Sequence, residues 1–286
     1  MNILSELKIK MFKFYRNKFS LLILLTFFTG AALSPGWKQK NNYITYDYTC
    51  LINDGESLII GFLKMSKDIV LEDVANEVTL SDEITLGKNL KQYIESKYNF
   101  SSNKLWSDKA NRILTKLCYN LTNARFGYSC YVLENEEINA FTAGGVIFIN
   151  SGLMKYVKSE DELAGVIGHE IFHNELKHLK QKLAESNFYE SVFGEYGEVV
   201  NSLGRVFTVS FDQQDEVASD LHGLDLAVKS GFDGCQVVSF WERMGRSRTS
   251  SPKSFEKFFS SHPYSTDRVA CIKYHISENY YHPCSF

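Results

Sequence analysis

Three of the seven histidines fall within the stretch HEIFHNELKH, His169 to His178. His169 and His173 stand four residues apart, with Glu170 between them. On an α-helix, side chains at i and i+4 share a face, so both imidazoles can direct a ring nitrogen at one ion. Glu170 sits beside that face, where a carboxylate can take a proton from water. Two neutral nitrogens, an open position for water and an adjacent base are what hydrolytic zinc chemistry needs. The alternative is an ordinary pair of core or surface histidines with no ion. His178 lies about 500° around the helix from His173, off the metal-facing side.

A two-histidine site needs a third protein ligand. The helix-like segment FDQQDEVASDLHGLDLAVKSG opens with Asp212 as an N-cap and ends at Gly231. Within it Glu216 and Asp220 are four apart and share a face. Glu216 can supply the third ligand, and Asp220 can accept a hydrogen bond from the far nitrogen of a ligating histidine, fixing its tautomer. Taken alone, the segment also reads as a solvated acidic face.

The elements that must position these groups are legible in the residue periods. Ser159-Glu-Asp-Glu162 reads as a capping box, and one helix is expected from Glu160 to about Leu183. Leu163, Val166, Ile167, Ile171, Leu176 and Leu179 cover much of its circumference, so it should run through the interior. Upstream, SDEITLGKNLKQYIESKY and KANRILTKLCYNLTNA are helical in period. SCYVLENEEINAFTAGGVIFINSG alternates, giving two short strands around Gly144-Gly145. The fold class is therefore α+β, mostly helical with a small sheet. Between the two motif helices lies ESNFYESVFGEYGEVVNSLGRVF, read either as a lid or as plain packing. Its Glu190, Glu195 and Glu198 exclude a membrane hairpin.

The 286 residues, 44% of them hydrophobic with four prolines, suffice for one large domain. A net charge of −3 gives no basic footprint, so no nucleic-acid partner is expected. Residues 1–32 carry Lys8, Lys10, Lys13, Arg16 and Lys18, then an apolar run from Phe19, then Thr29-Gly-Ala-Ala32, the order of an export signal. A retained anchor, associating the N-terminus with a membrane, is the alternative, although the apolar run is short of the roughly 20 residues a span needs. All six cysteines lie beyond this segment, an even count that permits disulfides in an exported chain, and sequence cannot choose among their pairings. Residues 33–80 include a tyrosine-rich, locally extended stretch with a turn at Asn53-Asp-Gly55 and have no assigned role.

With these motifs in order, the chain resembles the gluzincin metallopeptidases of the CAAX prenyl endopeptidase type, most closely the soluble periplasmic BepA-like and mitochondrial Oma-like branches. NAFTAGGVIFINSGLM looks like the family's strand and hairpin before the zinc helix. HEIFHNELKH fits its zinc motif, EVASD its Glu-x-x-x-Asp motif, and SHPYSTDRVACI its His-Pro...Arg segment, which contains His262 and Arg268. Two positions depart from the pattern: Ser219 replaces an alanine before Asp220, and the usual proline of the strand motif is absent from TAGG.

The resemblance implies a zincin-like domain over residues 81–286, with one zinc ion held by His169, His173 and Glu216, and Asp220 supporting them. It implies Glu170 as general base, and His262 approaching the zinc, stabilising the oxyanion, or standing in a structural His-Pro turn. It further implies that Asn139, Ala140, Phe141, Gly144 and Gly145 bind substrate along a strand edge. The expected function is an exported zinc endopeptidase, periplasmic or anchored facing the periplasm, acting on misfolded or immature envelope or outer-membrane polypeptides. The alternatives are a chaperone-like or latched homologue that holds polypeptide with little hydrolysis, and a structural domain with an incidental metal site.

Overall fold

The computed structural model describes residues 37–41, 43–47, 50, 78–185, 210–250, 252–263, 266–281 and 284. The expected export segment, the Asn53–Gly55 turn and the glycine-containing stretch beyond Glu185 lie outside the described residues.

Strand β1 (Lys38–Gln39) is followed by helix α1 (Leu80–Lys97), which starts where the Thr79 hydroxyl accepts from the Asp82 amide and the Asp82 carboxylate accepts from the Thr79 amide. Helix α2 (Lys104–Asn120) turns Ala110, Ile113, Leu114 and Leu117 inward. Strands β2 (Ser129–Leu133), β3 (Ala140–Ala143) and β4 (Val146–Asn150) form one sheet in the order β2-β4-β3, with β4 parallel to β2 and antiparallel to β3. Every residue of central β4 is buried, because its alternating side chains enter two different cores. Val146 and Phe148 pack with Leu86, Leu90 and Ile94 of α1, while Ile147 and Ile149 join the main core.

Beyond β4 the chain is helical. Short α3 (Ser151–Tyr156) leads to α4 (Glu160–Glu175), α5 (His178–Glu185), α6 (Gln213–Lys229), α7 (Gly234–Ser250), α8 (Pro252–Ser261) and α9 (Thr266–Asn279), then strand β5 (Tyr280–Tyr281). Helix α4 carries the HEIFH motif and is buried from Glu162 to Ile171, as its all-round apolar pattern requires. The α+β class expected from sequence is the class observed.

Two local expectations are corrected. The motif helix does not run on to Leu183: α4 stops at Glu175, Lys177 takes a left-handed φ of 63°, and α5 restarts at His178. Arg125 donates to the Asn174 carbonyl at this end, and the Leu176 and Lys177 amides turn back to Phe172 and Asn174, so the terminal carbonyls are satisfied without a further turn. The capping box is only half formed. Ser159 accepts from the Glu162 amide at 3.2 Å, but the Glu162 carboxylate is taken by Arg243 of α7, at 2.8 and 2.5 Å, and by the Lys158 amide. A bidentate charge-assisted pair outcompetes the neutral Ser159 amide.

Helices α4 and α6 cross backbone to backbone at Gly168 and Gly223. A Cβ on Gly223 would stand 2.7 Å from the His169 nitrogen, and one on Gly168 would stand 2.8 Å from the Gly223 carbonyl oxygen. Only glycine at both positions allows this approach, and it lies one residue before His169 and three after Asp220.

The ends of the described chain are fastened to α6, α7 and α9. Trp37 is buried in the main core, and β1 pairs with β5. Tyr46, Tyr280 and His275 all bond to the buried Asp225 carboxylate at 2.7 to 2.9 Å. Disulfides join Cys50 to Cys271 and Cys235 to Cys284, leaving Cys118 and Cys130 as thiols.

Candidate active site

Helix α4 projects His169 and His173 from one face, and the glycine crossing lays Glu216 and Asp220 of α6 against them. The two imidazole Nε2 atoms are 2.9 Å apart. Glu216 Oε1 lies 3.4 Å from His173 Nε2, and its Oε2 lies 3.6 Å from His169 Nε2. His262, just past α8, brings Nδ1 to 3.0 Å from Glu216 and 3.3 Å from His169 Nε2. One donor atom from each of His169, His173, Glu216 and His262 lies within 4.8 Å of the others, and all four residues are buried.

These residues fit a metal ion. The closest donor separations, 2.9 to 3.6 Å, bracket the edge of about 3.3 Å expected of a tetrahedron with metal–nitrogen bonds of about 2.0 Å. Glu170 Oε1 is buried without a hydrogen-bond partner, 3.6 Å from His262 Nε2, an orphaned acceptor beside the donor set. Arg268 reaches Glu216 Oε2 at 2.7 Å while binding Asp220.

The outer contacts fix the inner ones. Asp220 Oδ1 is 2.9 Å from His169 Nδ1, the bond expected from sequence, which leaves His169 Nε2 as the lone-pair nitrogen. Arg268 grips Asp220 through Nε at 2.8 Å and Nη2 at 2.9 Å. His178 starts α5 beyond the break at Lys177, so its position does not follow from a continuous helix; it lies beside the donor set, with Nδ1 3.1 Å from His173 Nδ1 and 3.3 Å from the Ser219 hydroxyl. The serine that departs from the family pattern therefore has a bonding partner.

Burial and neighbouring charge set the protonation. Burial raises the Glu216 carboxyl, but Arg268 and His262 outweigh it and hold it well below the ordinary range, ionised. Burial, aided by His169, keeps His173 well below its ordinary value, hence neutral and able to donate a lone pair. Burial raises the Glu170 carboxyl against the pull of His262 and His169. His262 is lowered by burial but raised further by Glu216, a net upward shift.

Several groups here carried no role in the sequence reading. Phe211 stacks on His173 with ring centroids 4.0 Å apart, and Trp241 lies 5.2 Å from His169 and beneath the Arg268 guanidinium. Neither aromatic has a spacing signal, because each reaches the site from a different element. Arg268 falls in the His-Pro...Arg segment, and its type was the available signal. Of the strand-edge residues, Asn139 precedes β3, Ala140 and Phe141 lie on it, and Gly144 and Gly145 form its turn.

Two helical histidines and a glutamate from a crossing helix, bordered by the edge of a small sheet, form the arrangement of a metallopeptidase. The chain belongs to peptidase family M48, whose sequence pattern matches residues 108–276. It is 22% identical over 225 residues to the beta-barrel assembly-enhancing protease of Yersinia pestis, covering 72% of this chain and 46% of that protein. It is 26% identical to metalloprotease LoiP of Escherichia coli K12, over 68% of this chain and 80% of LoiP. Identity to the mitochondrial metalloendopeptidase OMA1 of Schizosaccharomyces pombe is 24%, over 71% and 64% of the two chains. The chain thus spans less than half the length of the assembly-enhancing relative.

Proposed function

We propose that this chain is an exported zinc endopeptidase that hydrolyses peptide bonds of envelope proteins, misfolded or immature ones among them. The observation that carries this is the convergence of His169, His173 and Glu216, with Glu170 adjoining them. Imidazole nitrogens with one carboxylate suit zinc better than the all-oxygen shells of calcium or magnesium. When bound, zinc supplies Lewis acidity, making water more acidic and polarising the scissile carbonyl.

The remaining steps belong to the chain's own residues. Glu170 takes the proton of the attacking water and later delivers it to the departing nitrogen. Asp220 holds the His169 tautomer, and Arg268 orients Asp220 and keeps Glu216 ionised. An extended substrate adds as a strand beside β3, where Asn139, Ala140 and Phe141 lie, with Gly144-Gly145 closing the end of that edge.

One observation favours a second, resting form. His262 supplies a fourth donor, and a closed four-donor set is the mark of a metal site without room for substrate. In this reading the protease is latched, holding polypeptide with little hydrolysis until His262 withdraws with α8.

Residues 1–32 are taken as export signal or anchor, and residues 81–286 as the peptidase domain. The two disulfides fit an oxidising compartment such as the periplasm. The word "beta-barrel" in the relatives' name supports outer-membrane polypeptides as substrates.

The test is casein cleavage by the chain without residues 1–32. Cleavage should be lost on chelation and return with one equivalent of zinc. Cleavage that survives chelation would contradict the proposal, and a rise in His262→Ala at unchanged zinc content would identify the latch.

A further inference from the structure

Asn174 immediately follows the motif histidine His173 and has no part in the donor set. It is 5% exposed, and both ends of its amide are engaged across two elements. Its Nδ2 donates to the Thr142 hydroxyl on β3 at 2.7 Å and to the Glu170 carbonyl oxygen one turn back on α4 at 2.9 Å. Its Oδ1 accepts from the Gly145 amide at 3.2 Å. One buried side chain therefore ties the residue carrying the base to the strand beside it.

The hairpin is built to receive this tie. Gly144 and Gly145 have φ of 55° and 82°, the two left-handed positions of a tight type I′ turn. A Cβ on Gly144 would stand 2.0 Å from the Glu83 carbonyl oxygen, so α1 backs the turn while Asn174 holds it from α4. The Thr142 hydroxyl, accepting from Asn174, donates to the Val146 carbonyl at 2.9 Å, so its orientation is fixed.

The consequence concerns the strand's outer edge. The Asn150 amide donates to the Asn139 carbonyl, and Ala143 pairs with Val146, so odd-numbered residues bond to β4. Antiparallel alternation then turns the backbone N–H and C=O of Ala140 and Thr142 outward. Among the described residues no strand pairs with that side of β3. Thr142 thus offers its backbone to an added strand while its side chain is anchored to the Glu170 helix.

We propose that Asn174 is a positioning residue that sets the register of a bound polypeptide on β3 against Glu170, and so selects which peptide bond is cut. This rests on the peptidase reading above. With Asn174 in place, β3 has one height relative to the base. Without it the strand can shift along α4, and neighbouring bonds of the same substrate come into reach.

The experiment follows an unstructured 20-residue peptide with wild type, Asn174→Ala, Thr142→Val and the double variant. It measures zinc content, the products by mass spectrometry, KM and kcat, and hydrogen exchange at the Ala140 and Thr142 amides with peptide added. The expected result for Asn174→Ala is zinc retained, KM up about tenfold, kcat changed less than about threefold, and cleavage spread over adjacent bonds. Thr142→Val should reproduce the spread, and the double variant should add little, since both remove one linkage. An unchanged product pattern and KM in both single variants would overturn the proposal, as would loss of zinc in Asn174→Ala with a wild-type pattern in Thr142→Val. Should wild type cut nothing, the peptidase reading fails separately. The exchange arm then decides: peptide should protect both amides in wild type and protect them less in Asn174→Ala, and equal protection would overturn the proposal.

Discussion

Arg268 of α9 binds both oxygens of Asp220 of α6, at 2.8 and 2.9 Å, and the same Asp220 meets His169 Nδ1 at 2.9 Å. The guanidinium also lies 2.7 Å from Glu216 Oε2, so one cation serves two buried carboxylates at the cation site. Arg268→Met removes that charge and leaves both carboxylates buried. Breaking a buried pair costs about 3–5 kcal/mol, so the unfolding temperature should fall by about 10 °C. Zinc affinity should weaken by about 10–100-fold, because the support of a ligand is lost with it. Calorimetry and competition with a chromophoric chelator check both, and unchanged values would remove Arg268 from the site's support.

Gly223→Ala tests the helix crossing. The added Cβ would meet the His169 nitrogen at 2.7 Å and the Gly168 carbonyl carbon at 2.9 Å, so α4 and α6 must separate. The expected cost is about 1–3 kcal/mol, with weaker zinc binding and little change in helix content by circular dichroism. Wild-type zinc affinity in a folded variant would mean that the crossing tolerates more space than the packing indicates.

Asp225 should give an acid-side signature away from the cation site. Burial raises its carboxyl, but His275 and the bonds from His275, Tyr280 and Tyr46 outweigh it and hold it below the ordinary 3.8. A depressed carboxyl contributes stability that is complete above the unfolded pKa and lost as pH falls through the folded one. Asp225→Asn should therefore unfold about 5–10 °C lower than wild type near pH 7, with the gap closing as pH drops below 3.8. Denaturant unfolding across that range checks it, and a pH-independent gap would contradict the assignment.

Thiol accounting checks the covalent frame. Unfolded without reductant, the chain should label only Cys118 and Cys130, and after reduction all six cysteines. Cys50→Ser should then destabilise by about 2–4 kcal/mol through release of the Cys50–Cys271 tether. Peptide mapping that joins Cys50 to any other cysteine would contradict the pairing.

Local chemistry made much of this legible in the sequence. Periodicity located α1, α2, α4 and α6, Asp212 capped α6 as its type requires, and the i, i+4 spacing placed His169 with His173. What sequence could not give depends on contacts between distant residues. The break at Lys177 follows from Arg125 and the returning amides, and the open half of the Ser159 box follows from Arg243. The crossing at Gly168 and Gly223 is invisible until two helices are set together. Trp241 and Phe211 join the site from tertiary packing, and Asn174, although inside the motif stretch, shows its bonds to Thr142 and Gly145 only once β3 is set beside α4.

The most direct test pairs metal analysis with casein cleavage for wild type and Glu170→Gln, both without residues 1–32. Glutamine preserves the size of the side chain and leaves His169, His173 and Glu216 intact, while it cannot take the proton from water. The expected result is about one zinc per chain in both proteins and cleavage by wild type alone, with the variant slower by at least about a hundredfold. Cleavage by Glu170→Gln at the wild-type rate, or zinc in neither protein, would contradict the account.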